Sequence, residues 1–140
     1  MTLDNYLQET AALATLAGIL SGFAFSAVVQ FLATERESKL ITAAIVVFSA
    51  ATLMFLYALL VFILLFAAAA EQNSIPTQLE YLGNYALLVI FAAVYIFLSG
   101  IGLAGWIRSR LAGAITTTLA LITACLTSLA ILNVIASFSA

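Results

Sequence analysis

Histidine is absent from this 140-residue chain, and only ten residues carry charge, four Lys or Arg and six Asp or Glu. A typical globular domain is about 25% charged, and this chain is 7%. General acid–base catalysis, metal ligation and proton relays need ionisable groups held in place. No Asp, Glu, Lys or Arg lies inside residues 10–34, 40–70, 81–107 or 111–140. The chain is therefore not expected to be an enzyme, to hold a metal or to bind a cofactor. Cys125 is the only cysteine, which rules out an intrachain disulfide and reads as a small packing residue. Pro76 is the only proline, so the paired broken helices of many secondary transporters are missing. No basic patch exists, and nucleic acid is not an expected partner.

What the chain does have is apolar length. Hydrophobic residues make up 66% of it. Each charge-free run reaches the roughly 20 residues that cross a ~30 Å hydrocarbon layer. Backbone polar groups in lipid need internal partners, so runs of this length must be helices. The expected fold class is all-α: a polytopic membrane protein with helices at about 10–33, 40–70, 79–107 and 112–138, forming one domain over 1–140. The second run has 31 residues. At 1.5 Å per residue it measures about 46 Å and should tilt, kink or emerge from the membrane. The first ten residues hold Asp4 and Glu9 but no Lys or Arg, so no cleaved signal is expected and the first helix should stay.

The connections are short. Glu35, Arg36, Glu37, Ser38 and Lys39 form one, and Arg108, Ser109 and Arg110 another. Such loops favour antiparallel neighbours and an up-down-up-down bundle. Between the second and third runs, Pro76 stops backward growth of the next helix, and Thr77 with Glu80 reads as a capping box. Alternation places Asp4, Glu9, Glu71 and Glu80 on one face and all four basic residues on the other. The positive-inside rule then puts both termini outside the cytoplasm. Trp106, Tyr6, Tyr81 and Tyr85 fit interfacial belts.

Helix one carries a pattern. Ala14, Gly18, Gly22, Ser26 and Gln30 recur every four residues, and Gly18 with Gly22 forms a Gly-x-x-x-Gly pair that admits a close backbone. The stripe reads either as a helix contact or as a pore-facing inner helix with Gln30 at its narrow end. Glu35 and Glu37 read as an acidic vestibule or as solvated loop charges beside Arg36 and Lys39. In helix four, Thr116, Ala120, Thr123 and Thr127 form a second stripe, and Asn133 adds an amide; these read as interhelical glue. Leu20-Ser21-Gly22 has a weak echo in Leu98-Ser99-Gly100, read as small-residue packing rather than a repeat.

The segment Leu20-Ser21-Gly22-Phe23-Ala24 resembles the inner pore helix of the Orai family, the pore subunits of calcium-release-activated calcium channels. Phe48-Ser49-Ala50-Ala51-Thr52 is similar to that family's Phe-Ser-Ala-Cys-Thr, and Trp106-Ile107-Arg108 to its Trp-Val-Lys. Residues 112–118 are loosely like its small, hydroxylated fourth helix. The resemblance implies a plasma-membrane homo-oligomer, a hexamer, with helix one innermost. Thr15, Ile19, Phe23, Ser26 and Gln30 would line the pore, and the permeant ion would be Ca2+ or a monovalent cation. Gln30 falls on the filter glutamate, so an amide ring replaces the converging charges that bind a divalent ion. The family's inner basic positions fall on Thr15 and Ala11, its third-helix acidic residue on Gly100 and its second-helix histidine on Leu59. No docking platform for the endoplasmic-reticulum calcium sensor is expected. The family holds its N-terminus in the cytoplasm, opposite to the charge rule. An accessory membrane subunit without a pore is the alternative.

Overall fold

Helices form where the charge-free runs predict them and extend beyond. The computed structural model describes residues 2–35 and 38–139. Helix α1 spans Leu3–Leu32, α2 Lys39–Gln72, α3 Glu80–Arg108 and α4 Arg110–Ser139. All four are long and apolar enough to cross a membrane.

Helix ends follow caps rather than the limits of charge. Helix α1 begins seven residues ahead of the expected position 10, at Leu3. The Thr2 hydroxyl accepts the Asn5 N–H at 3.3 Å, and Asp4 sits in the first turn where the helix dipole favours an anion. Ser38 caps α2 by accepting the Ile41 N–H at 3.2 Å. Helix α2 runs for 34 residues, about 51 Å. It ends at Asn73, whose left-handed backbone (φ 48°, ψ 34°) is the conformation that asparagine tolerates better than most side chains.

The start of α3 differs from the expected capping box. Residues 77–79 form a tight 3-10 turn held by the Leu79 N–H to the Pro76 carbonyl at 2.9 Å. Helix α3 then begins at Glu80 with Leu79 as an unassisted cap. The Thr77 side chain lies outside the described residues. Helices α3 and α4 are joined by Ser109 alone, in extended conformation (φ −167°, ψ 162°). Its hydroxyl accepts the Ala112 N–H at 3.1 Å and so starts α4.

Packing follows a seven-residue repeat. The buried residues of α1 are Thr10, Ala14, Ala17, Ser21, Ala24 and Val28, at alternating steps of four and three. Those of α2 are Ile41, Ala44, Phe48, Ala51, Phe55, Ala58, Phe62, Leu65 and Ala69, at steps of three and four throughout. A mean spacing of 3.5 keeps one seam facing its neighbour along the whole helix, as in coiled coils. Alanine and phenylalanine alternate along this seam from Ala44 to Phe62.

Extended seams join α1 to α2, α2 to α3 and α3 to α4. Phe31 of α1 stacks on Phe48 of α2 with ring centroids 5.9 Å apart. Ser21 donates to the Thr52 carbonyl at 3.3 Å. A Cβ on Gly18 would stand 2.8 Å from Leu59 Cδ1. Across the α2–α3 seam, Phe97 meets Phe48 and Phe55 edge-on at 5.7 and 6.4 Å. Of the described α4 residues only Gly113 is buried, so α4 leans on α3 as an outer element.

Candidate functional site

The seam on α1 leaves its opposite side open. Thr15, Ile19, Phe23, Ser26 and Gln30 are all exposed, at spacings of four, four, three and four. They lie away from Ala17, Ser21, Ala24 and Val28, which close against α2. The set spans sixteen residues, about 22 Å along the axis. Ile19 is 54% exposed and Phe23 63%. The Thr15 hydroxyl is spent on the Ala11 carbonyl of its own helix at 2.8 Å. Polar positions thus occur at Thr15, Ser26 and Gln30, with an apolar stretch of Ile19 and Phe23 between them.

The four-residue stripe does not stay on one face. Each residue of a helix turns about 100°, so four residues overshoot a full turn by about 40° and four such steps by about 160°. The stripe starts on the seam at buried Ala14, passes Gly18 against Leu59, and emerges at Gly22, Ser26 and Gln30. Nothing lies within 4 Å of a Cβ on Gly22. Of the Gly-x-x-x-Gly pair, Gly18 packs inside the chain and Gly22 opens outward.

Gln30 sits three residues before the C-cap Ala33, and Glu35 follows two residues after it, exposed. A helix C-terminus carries a partial negative charge, so the end of α1 and the Glu35 carboxylate add to one another and favour a cation near this end of the helix. Glu37 and Arg36 lie outside the described residues.

The hydroxyl stripe of α4 serves its own helix and the α3 seam. Thr116 donates to the Ala112 carbonyl at 2.9 Å, and its oxygen is 3.5 Å from the Gly102 carbonyl of α3. Thr123 donates to the Leu119 carbonyl at 2.9 Å. Asn133 is exposed. Two cross-helix bonds were not singled out from the sequence. Tyr95 and Ser128 share a hydrogen bond at 2.7 Å, and Trp106 Nε1 donates to Thr117 Oγ1 at 3.0 Å. Both join α3 to α4. Placing α3 and α4 side by side, as their one-residue link demands, would have brought Trp106 and Thr117 to facing turns.

The acidic face also holds a cavity of about 180 Å³ between α1, α2 and the start of α3. Tyr6, Glu9, Thr10, Glu80 and Asn84 give its polar wall, and Phe62, Leu65 and Leu87 its apolar one. The Thr10 hydroxyl is bonded to the Tyr6 carbonyl at 2.9 Å. Among the described residues no group of three or more His, Cys, Asp or Glu gathers as a metal site.

Comparison with protein-family models, curated proteins and solved structures finds no match to this chain.

Proposed function

We propose that the chain is the pore-forming subunit of an Orai-like, homo-oligomeric ion channel of the plasma membrane, conducting cations passively. The observation that carries this reading is the two-sided character of α1. One side is sealed by a continuous seam to α2, while the other holds Thr15, Ile19, Phe23, Ser26 and Gln30 open inside a membrane-length helix. Copies arranged as a ring, six by the resemblance, would bring these faces together around an axis. Gln30 would form the constriction and Glu35 with Glu37 the vestibule.

Gly22 supports a neighbour from outside the chain. Glycine costs a helix about 1 kcal/mol against alanine, and within the monomer its missing Cβ accommodates nothing. The order of seam contacts supports an up-down-up-down path: Phe31 meets Phe48, Ser21 meets Thr52, and Gly18 faces Leu59. Rising numbers on α2 match falling numbers on α1. With that path, the positive-inside rule would put the loops that carry Lys39, Arg108 and Arg110 in the cytoplasm, opposite to the orientation the family resemblance implies.

The test is ion flux through purified protein in liposomes, beside Gln30→Glu. Cation flux in the native protein, with divalent block or selectivity gained in Gln30→Glu, is the expected outcome, because carboxylates restore converging charge. Absence of flux for every small ion in both proteins would contradict it. The second reading, an accessory subunit without a pore, is favoured by the bulk of Ile19 and Phe23 on the open face, which also suits an apolar partner helix.

A further inference from the structure

A groove of about 480 Å³ runs between α3 and α4. Tyr95, Gly102, Trp106, Thr117, Ala120 and Ala124 line it. Small residues widen it: Gly102 on α3 lies against Thr117, and Ala120 and Ala124 on α4 line the slot beyond. Its polar groups are already bonded inside the protein. The Tyr95 hydroxyl is paired with Ser128 at 2.7 Å, the Ser99 hydroxyl donates to the Ile96 carbonyl at 2.6 Å, and Trp106 Nε1 donates to Thr117 at 3.0 Å. A water in such a place needs two to four polar partners, and the few polar groups here are already engaged with protein partners. Hydrocarbon is the filling it suits.

Its length and its mouth narrow the occupant. From Trp106 to Tyr95 is eleven residues, about 16 Å. That matches one leaflet of hydrocarbon, half of ~30 Å. The groove therefore has the depth of a single lipid chain. At the Trp106 end, Arg108 and Arg110 flank the one-residue link between the same two helices, and both are exposed. Guanidinium groups bind phosphate oxygens in a two-pronged geometry.

We infer that this groove binds an anionic glycerophospholipid, with one acyl chain lying between α3 and α4 and its headgroup held by Arg108 and Arg110. The chain accounts for the apolar, leaflet-deep slot, and the headgroup for the two exposed arginines that flank the α3–α4 link beyond its Trp106 end. The basic face is the one the charge rule assigns to the cytoplasm, whose leaflet is rich in anionic lipid. The inference rests on the chain spanning a bilayer and is independent of whether copies enclose a pore.

Trp106 is the only tryptophan in the chain and lines the groove, so its fluorescence reports the occupant. The protein is reconstituted in phosphatidylcholine vesicles containing a small, equal fraction of brominated phosphatidylglycerol or brominated phosphatidylcholine, with bromines near the carbonyl end of the chain. Bulk lipid around exposed Trp106 quenches equally in both. The expected result is several-fold stronger quenching by the brominated phosphatidylglycerol. That excess should vanish in the double variant Arg108→Gln/Arg110→Gln and fall in Ala124→Phe, which fills the slot; Ala120→Leu serves should Ala124→Phe not fold. Equal quenching by the two lipids in the native protein would overturn the inference. So would a phosphatidylglycerol preference that survives removal of both arginines or closure of the groove.

Discussion

A Cβ on Gly100 would stand 2.9–3.1 Å from three ring carbons of Phe48. That ring is 3% exposed and held between Phe31 and Phe97, so it has nowhere to retreat. Gly100→Ala should therefore cost about 1–3 kcal/mol, the usual range for overpacking a closed core. A thermal scan of the detergent-solubilised protein would register it as a lowered midpoint. Gly22→Ala meets nothing within its own chain, so a drop in that midpoint would report the neighbouring copy that the notch is proposed to admit. If Gly100→Ala melted like the native protein, the Phe48 clamp would be wrong. These two glycines close the identical tripeptides Leu20-Ser21-Gly22 and Leu98-Ser99-Gly100. Their environments are opposite. Ser21 is buried and bonded to α2, whereas Ser99 is exposed and bonded to its own helix. The sequence displays where small residues occur; it does not display which of them meets a neighbour, because that depends on the phase of the seam around each helix.

The same limit acts on whole helices. Four elements and their rough extents are legible because lipid leaves a long apolar run no other structure. The ends are less so. Helix α1 starts at the Thr2 cap and not where charge stops, since Asp4 and Glu9 suit a helix that projects from the membrane. The 3.5-residue phase of Ile41 to Ala69 is present in the sequence, but in a run where nearly every residue is apolar it carries no contrast of hydrophobicity, only of size. Helix α4 depends on α3 alone for an extended seam. At their junction, a Cβ on Gly105 would overlap Thr116 Oγ1 and come within 2.8 Å of the Ala112 carbonyl and 3.0 Å of Gly113 Cα. Two of these three are α4 backbone atoms, which cannot swing aside. Gly105→Ala should push α4 off α3 while α1 and α2 stay paired. Hydrogen exchange should then quicken roughly tenfold across α4, equivalent to about 1.4 kcal/mol, with the α1 and α2 amides unchanged. Faster exchange spread evenly over all four helices would show that α4 is not a separable outer element.

At the scale of the molecule, the seams form a series, α1 to α2 to α3 to α4, and leave α1 and α4 each with an uncovered side. Lipid suits the side of α4, where apolar residues dominate and the hydroxyls are bonded within the helix. The side of α1 is different, because it gathers Thr15, Ser26 and Gln30. In the proposed ring of copies that side would form a lumen, and a lumen is wet where a lipid-facing surface is dry. Single cysteines at Thr15, Ile19, Ser26 and Gln30, in a Cys125→Ser background, measure this directly through reaction with a membrane-impermeant thiol reagent in vesicles. Cysteines at Ala17 and Ala24, which are fully buried against α2, serve as the internal reference. The account predicts modification at the first four positions and none at the two references. Silence at all six, or reaction that ignores the helical period, would contradict a pore lined by α1.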